Sequence, residues 1–250
     1  MTAPIDTAVI LAAGMGTRLR GELSDRPKGF LALGDKPIIE ESLERLLAVG
    51  IRKIVIVTGH CADHYEALAR GRAEITTVHN PEFANSGSMY SLYCARQALV
   101  SDYLLLESDL IYEPRALRTL LQQAAQDAIL LSGPTHAGDE VYVCAPDGAL
   151  AGMSKDPAQL PAPATGELVG ITRVSRGLSD CMLEIAGAAF RDSLKFDYET
   201  DCLVAAGRQR RIACPLVADL CWAEIDDPAH LARAREQVYP EILRRSQASA

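Results

Sequence analysis

Short apolar runs alternate along the first half of the chain with segments whose apolar residues recur at helical spacing. The runs occupy residues 8–11, 54–57, 103–106 and 128–131, and a further strand is predicted at 75–79. Between the first two, Ile39, Leu43 and Leu46 share one helix face, with Pro37 and Gly50 suited to its ends. Further helices are predicted at about 62–69, 89–99 and 114–125. Regular alternation of buried strands and helices predicts parallel βαβ units with right-handed crossovers.

The regular alternation of strands and helices ends after Gly133. Asp147-Gly148 is a tight-turn dipeptide, and it predicts a hairpin of residues 141–144 and 149–153. Further strands are predicted at 168–174, 211–216 and 221–225, and helices near 181–190, 199–206 and after Pro228. We therefore predict one α/β domain over residues 1–250, with a smaller hairpin-and-helix subregion at about 138–207.

Composition and charge narrow the class of protein. Of the 250 residues, 48% are hydrophobic, and the formal net charge of −8 argues against nucleic acid as a partner. The seven cysteines are scattered without CxxC spacing, which argues against a zinc site or a disulfide frame. The first residues show no secretion signal, and no apolar run is long enough to cross a membrane. We expect a soluble cytoplasmic protein without membrane contact.

The first strand leads into a loop of small residues that is followed by cations. The loop contains Ala12, Ala13, Gly14 and Gly16. Small residues let backbone N–H groups approach an anion, and Arg18 and Lys28 would neutralise it. The loop lacks the Gly-Lys-Ser/Thr of a Walker motif, and Leu19 replaces the third glycine of a dinucleotide fingerprint. The pattern favours a polyphosphate as the ligand.

The strings LAAGMGTRL (residues 11–19) and RPKGFLALGDKPII (residues 26–39) resemble the nucleotidyltransferase signature of the sugar-nucleotide pyrophosphorylase superfamily. The resemblance implies a Rossmann-like three-layer αβα fold with a mostly parallel, mixed sheet. It also implies that Arg18 holds the β- and γ-phosphates of a nucleoside triphosphate and Lys28 the α-phosphate. The nucleotide-binding residues so implied are Leu11, Ala12, Ala13, Gly14, Gly16, Gly59, Gly87 and Ser88.

Two acidic motifs predict a magnesium site. Glu107-Ser108-Asp109 closes an apolar strand, at the edge where an open α/β sheet presents its ligands. Desolvating carboxylates beside an apolar strand costs free energy unless a cation offsets their charge. Mg²⁺ shared with triphosphate oxygens would be such a cation. Asp109 is the expected ligand, with Glu107 either a ligand or its neighbour. By the resemblance, Asp226 completes the Mg²⁺ site with help from Glu224, whereas Asp227 is expected to cap the terminal helix.

The segment NSGSMYSLYCARQALVSDYLLLESDLIYE (residues 85–113) looks like the cytidylyltransferases of phosphocholine and of phosphonates, notably 2-aminoethylphosphonate. This likeness implies CTP as the donor and pyrophosphate as the leaving group. It also implies that Gly87 and Ser88 face the nucleoside, and that Lys155 reaches the acceptor phosphonate or the α-phosphate. An anionic acceptor oxygen needs no general base, so positioning and charge neutralisation suffice.

The amine end of the acceptor is less constrained. A primary ammonium favours carboxylates, which Asp139, Glu140 and Glu199 offer, whereas a quaternary ammonium favours an aromatic cage, to which Tyr198 would contribute. Aromatic residues are only 5% of the chain, so we favour 2-aminoethylphosphonate. Phosphocholine or a sugar 1-phosphate is the alternative acceptor, and an inactive nucleotide-sensing protein is the alternative of another class. The oligomeric state, including a homodimer, stays open.

Overall fold

The computed structural model describes residues 4–23 and 25–248. The strands are β1 (Thr7–Ala12), β2 (Lys53–Thr58), β3 (Ile75–His79), β4 (Tyr103–Glu107), β5 (Leu110–Tyr112), β6 (Ala128–Ser132), β7 (Tyr142–Cys144), β8 (Gly152–Ser154), β9 (Gly166–Val174), β10 (Leu216–Val217) and β11 (Trp222–Glu224).

The helices are α1 (Arg20–Leu23), α2 (Ile38–Ala48), α3 (Ala62–Ala69), α4 (Ser88–Cys94), α5 (Arg115–Leu121), α6 (Arg176–Ala189), α7 (Val204–Gly207), α8 (Pro228–Arg233) and α9 (Tyr239–Ala248). The segments Tyr198–Leu203 and Ala234–Val238 are π-helical and run into α7 and α9.

The main sheet has the strand order β10-β6-β9-β4-β1-β2-β3, and the β7–β8 hairpin extends it at β9. Strands β1, β2, β3 and β4 pair in parallel. Strand β9 pairs antiparallel with both β4 and β6, so those two run in the same direction. The predicted α/β class with a mostly parallel, mixed sheet is confirmed.

Both faces of the sheet are covered by apolar layers. In β1, Val9 and Leu11 join one core cluster, whereas Ala8 and Ile10 join the other. Because successive side chains of a strand point to opposite faces, an uninterrupted apolar run is what a strand covered on both sides requires. This explains why the sequence shows runs rather than alternation.

The carboxyl ends of the parallel strands meet at one edge of the sheet. Ala12 of β1 lies beside Thr58 of β2, and Leu11 lies beside Glu107 of β4. A separate ribbon of β5 and β11 pairs antiparallel, with Glu224 opposite Leu110. The ribbon returns the second acidic motif to the end of β4, 117 residues after the first.

Several predicted elements differ in detail. The predicted strand at 211–216 is reduced to Leu216–Val217, preceded by an isolated bridge between Ala128 and Ala213. Pro215 separates the two, and it has no N–H to donate to a ladder. The predicted helix at 89–99 ends at Cys94, and Ala98 N–H already bonds to Ala95 O, three residues back.

Two local predictions are confirmed. The hairpin of β7 and β8 forms, with Asp147 and Gly148 both at positive φ (55° and 68°), but pairing ends at Cys144 and Gly152, so the connection is longer than the tight turn predicted. The Asp227 carboxylate caps α8 by accepting the His230 N–H at 2.8 Å.

Candidate active site

The loop after β1 turns sharply before the first cation. Gly16 has φ +57°, and a Cβ there would lie 2.8 Å from Leu23 Cδ1 and 3.2 Å from Lys28 Cγ. Glycine is therefore required both by the conformation and by the close approach of Lys28. Gly14, in contrast, has no atom within 4 Å of such a Cβ, so its backbone faces open space.

The Lys28 side chain is the centre of the site. Its ammonium donates to Asp109 Oδ2 at 2.7 Å and to Asp226 Oδ1. Burial lowers the pKa of Lys28, but the charges of Asp109 and Asp226 outweigh it, and the net pKa lies above the usual value. Lys28 is therefore a permanent cation between two carboxylates.

Arg18 approaches from the solvent side. Its guanidinium lies 2.7 Å from Asp226 Oδ2 and 3.9 Å from Asp139 Oδ2, and its side chain is 54% exposed. Burial raises the pKa of Asp226, but Lys28 and Arg18 outweigh that effect and hold the pKa at about 2. Both oxygens of Asp226 thus face cations.

Asp109 belongs to a compact group of oxygens with Glu107 and Glu224, whose ligand atoms all lie within 4.8 Å of one another. The Ile225 N–H donates to Asp109 O at 3.1 Å and fixes β11 against the end of β4. Burial and then neighbouring carboxylates raise the pKa of Glu107 and of Glu224 well above the usual value.

A second group joins Asp139, Asp226 and His230, also within 4.8 Å. His230 Nε2 lies 3.4 Å from Asp139 Oδ1 and 3.2 Å from Ala137 O. Of the three predicted metal ligands, the structure thus groups Asp109 with Glu224 and places Asp226 in the neighbouring group. The Lys28 ammonium bridges the two groups.

These residues fit a magnesium ion in charge and in donor type. Mg²⁺ binds oxygen ligands, commonly one or two carboxylates together with phosphates. A cation already lies between Asp109 and Asp226, and Glu224 adds a further oxygen beside Asp109. The donor set is therefore compatible with Mg²⁺ once Lys28 turns toward an anion.

A cleft of about 210 Å³ opens from this network along the carboxyl edge of the sheet, and we call it the loop-side cleft. Six of the predicted nucleotide-binding residues line it: Leu11, Ala12, Ala13, Gly14, Gly87 and Ser88. Lys28, Glu107, Asp109 and Glu224 also line it.

The other two predicted glycines have packing roles. A Cβ on Gly59 would lie 2.5 Å from Phe83 Cβ and 2.7 Å from Ala13 O. Gly59 therefore lets Phe83 and the β1 loop approach each other. Neither Gly59 nor Gly16 is among the described residues that line the cleft.

Ser88 lines the cleft, but its hydroxyl is used within the protein. It donates to Asp197 Oδ1 at 3.2 Å and accepts the Tyr198 N–H at 3.0 Å. This serine joins the start of α4 to the segment that carries Glu199.

A second, smaller cavity of about 80 Å³ lies on the other side of Glu224, and we call it the hairpin-side cavity. Of the predicted acceptor-side residues, Asp139, Glu140, Lys155 and Glu199 line it. Tyr198 is buried, and its hydroxyl donates to Glu199 Oε1 at 2.8 Å. Burial raises the pKa of Glu199 to about 7, although the Tyr198 hydrogen bond works in the opposite direction.

Several residues that line or support these cavities were not predicted. Glu167 is buried at the hairpin-side cavity and accepts from the Thr135 N–H at 2.9 Å and hydroxyl at 2.7 Å, while Arg233 donates to Thr135 O at 3.0 Å. Asn80 is buried behind the loop-side cleft. Asn80 follows β3 directly, and a polar residue at the carboxyl end of a parallel strand could have indicated it as a site residue.

Known proteins with similar sequences include enzymes that act on phosphonates and phosphate esters. A CMP-5'-(3-aminopropyl)phosphonate synthase of Streptomyces rubellomurinus is 31% identical over 245 residues, covering 91% of this chain and 38% of that protein. A choline-phosphate cytidylyltransferase of Streptococcus pneumoniae is 35% identical over 98 residues, covering 39% of this chain and 42% of that protein. Each match covers less than half the length of the relative.

The fold is shared with a solved structure. The inositol-1-phosphate CTP transferase from T. maritima matches with a TM-score of 0.82 at 17% identity, covering 99% of this chain and 98% of that one. Among the described residues, no helix has the length and apolar character needed to cross a membrane.

Residues 8–177 match the MobA-like NTP transferase domain, which is more than half of the chain. The resemblance to nucleotidyltransferases is therefore confirmed, and the chain belongs to the family of MobA-like NTP transferase domains.

Proposed function

We propose that this protein transfers CMP from CTP to a small aminoalkylphosphonate such as 2-aminoethylphosphonate and releases pyrophosphate. The observation that carries the proposal is the common wall of the two cavities. Glu224 lines both the loop-side cleft, with its cationic network, and the carboxylate-rich hairpin-side cavity. A donor in the first and an acceptor in the second would meet at Lys28 and the acidic motifs.

The chemistry needs positioned charge rather than a nucleophilic side chain. An oxygen of the acceptor phosphonate forms a bond to the α-phosphorus of CTP, the bond to the β-phosphate breaks, and pyrophosphate leaves. Lys28 would leave its carboxylates and neutralise the α-phosphate, while Arg18 would neutralise the departing phosphates. Mg²⁺, held by Asp109 and Asp226 with Glu224, would offset the charge of the triphosphate.

The hairpin-side cavity supports a primary ammonium at the far end of the acceptor. Its lining includes the carboxylates of Asp139, Glu140, Glu167, Glu199 and Glu224. Trp222 is the one aromatic residue among the described residues that line it. A primary ammonium has three N–H donors that match carboxylates, whereas a quaternary ammonium requires several aromatic faces. Lys155, exposed at the rim, would hold the phosphonate.

The similarity to the aminopropylphosphonate synthase supports a phosphonate acceptor, and the similarity to the choline-phosphate cytidylyltransferase favours phosphocholine as the second candidate. A sugar 1-phosphate is less compatible with a small cavity lined by carboxylates. An inactive nucleotide sensor has no evident need for a second cavity beside the nucleotide.

The first prediction concerns the substrates. We expect the highest kcat/KM with CTP and 2-aminoethylphosphonate in an assay of pyrophosphate release that pairs four nucleotides with 2-aminoethylphosphonate, phosphocholine and glucose 1-phosphate. The rate should vanish when Mg²⁺ is replaced by EDTA. Preference for another acceptor would replace the proposed substrate, and no release with any pair would favour the sensor.

The second prediction concerns Lys28. Lys28→Met keeps most of the side-chain stem but removes the cation, so kcat/KM for CTP should fall about 100-fold or more. Lys36→Met is the matched control, because Lys36 lies in the same connection, half exposed and paired with exposed Glu44. Melting curves of both variants establish that they fold. Wild-type kinetics of Lys28→Met would contradict the role.

The third prediction concerns the acceptor's amine. Because the pKa of Glu199 is raised to about 7, its carboxylate is fully charged only above that pH. Glu199→Gln removes this charge with little change of shape, so at pH 8 the KM for 2-aminoethylphosphonate should rise about tenfold while the KM for CTP stays unchanged. Binding can be followed by the fluorescence of Trp222, the single tryptophan of the chain. Exposed Glu184, on α6, provides the control variant Glu184→Gln. An unchanged acceptor KM would argue against an ammonium site at Glu199.

A further inference from the structure

Asn80 forms a hydrogen-bond network that the proposed transfer does not use. It follows β3 directly, and its side chain has 0% exposure. Its carboxamide makes three hydrogen bonds, with the backbone of Glu82 and with the hydroxyls of Ser86 and Ser91. A buried polar side chain with this many partners fixes the geometry of the groups around it.

The orientation of the Asn80 amide is determined by its neighbours. The Glu82 N–H lies 2.8 Å from Asn80 Oδ1, and because an N–H can only donate, this atom must be the oxygen. The nitrogen then faces the two serines. Asn80 Nδ2 donates to Ser86 Oγ and to Ser91 Oγ, each at 3.0 Å.

These bonds set the polarity of both hydroxyls. Each serine oxygen accepts one amide hydrogen, which leaves its own proton to be donated elsewhere. Within the described part of the chain, neither hydroxyl has a second hydrogen-bond partner. Both serines line the loop-side cleft, so a bound ligand meets two hydroxyl donors there.

This part of the cleft is where the nucleobase of a donor would lie. The cations and carboxylates come from the loop after β1 and from the ends of β4 and β11. In the proposed function these groups bind the phosphates and the metal ion, so the base lies elsewhere in the cleft. Ser86 and Ser91 come from the chain that follows β3, beyond β1 and β2 in the sheet. Phe83, beside them, offers an apolar face to a base.

Resting on the proposed function, we infer that Asn80 is a positioning residue for base selection: it holds Ser86 and Ser91 as donors toward O2 and N3 of cytosine. Both of these atoms accept hydrogen bonds in cytosine. In uracil, N3 carries a hydrogen, so it is a donor that would face the donor hydroxyl of one serine and could not bond to it. The site therefore selects CTP over UTP.

The inference predicts that reversing the direction of the two hydroxyl hydrogen bonds removes the preference for CTP. In Asn80→Asp, the carboxylate still accepts the Glu82 N–H but offers no hydrogen to the serines. Both hydroxyls must then donate to residue 80 and present oxygen lone pairs to the cleft, which favours the N3–H of uracil. Three donated hydrogen bonds keep the buried carboxylate ionised.

Calorimetric titration with CTP and with UTP, in Mg²⁺ and without acceptor, measures the selection apart from turnover. The wild type should bind CTP at least tenfold more tightly than UTP, and Asn80→Asp should lower that ratio at least tenfold. Asn85→Asp is the matched control, because Asn85 is exposed in the same connection, and its ratio should stay at the wild-type value.

Equal binding of CTP and UTP by the wild type, or an unchanged ratio in Asn80→Asp, would overturn the inference. If Asn80→Asp does not fold, Ser91→Ala decides, since loss of one donor must weaken CTP more than UTP. A wild type that binds CTP selectively but releases no pyrophosphate with any acceptor refutes the proposed function while leaving this inference intact.

Discussion

The site depends on one largely buried cation held between two aspartates. Lys28 joins the loop after β1 to Asp109 and Asp226, which lie 81 and 198 residues away in the sequence. Buried charges are costly unless they are paired, so this contact fixes the relative position of three chain segments. In the proposed reaction, an incoming phosphate would compete for Lys28, and an incoming metal ion would compete for the two carboxylates.

The proposed transfer would take place where the loop-side cleft meets the hairpin-side cavity. Glu224 separates a cleft with the Lys28 network from a cavity lined by further carboxylates. Its position follows from the β5–β11 ribbon, which pairs Glu224 with the residue that follows Asp109. A strand pair of three residues each, outside the main sheet, thus positions the residue shared by the loop-side cleft and the hairpin-side cavity.

The sequence was sufficient for the parts of the fold that local patterns encode. Apolar runs gave the parallel strands, Asp147-Gly148 gave the hairpin, and Asp227 gave the cap of α8. The ribbon was missed as a pair because β5 has three residues directly after an acidic motif, too few for a periodic signal. The predicted strand at 211–216 is interrupted at Pro215, because proline has no N–H to donate to a strand ladder, and this residue is visible in the sequence.

The candidate site was only partly accessible to such reasoning. Arg18, Lys28 and Asp109 stand in long motifs, and the structure brings them together. The resemblance implied that Ser88 faces the nucleoside. Its hydroxyl is bonded to Asp197 and Tyr198, whereas among the described residues the hydroxyls of Ser86 and Ser91 have Asn80 as their one hydrogen-bond partner. Hydrogen-bond polarity arises from tertiary partners such as Asn80, and residue spacing does not record it.

The central claim, transfer of a cytidylyl group onto a phosphonate oxygen, is tested most directly by ³¹P NMR of a reaction with CTP, 2-aminoethylphosphonate and Mg²⁺. The account predicts that the phosphonate resonance shifts and becomes coupled to a new phosphate resonance, in step with the appearance of pyrophosphate. A phosphonate resonance that stays unchanged would contradict the account, whether CTP is consumed or remains intact.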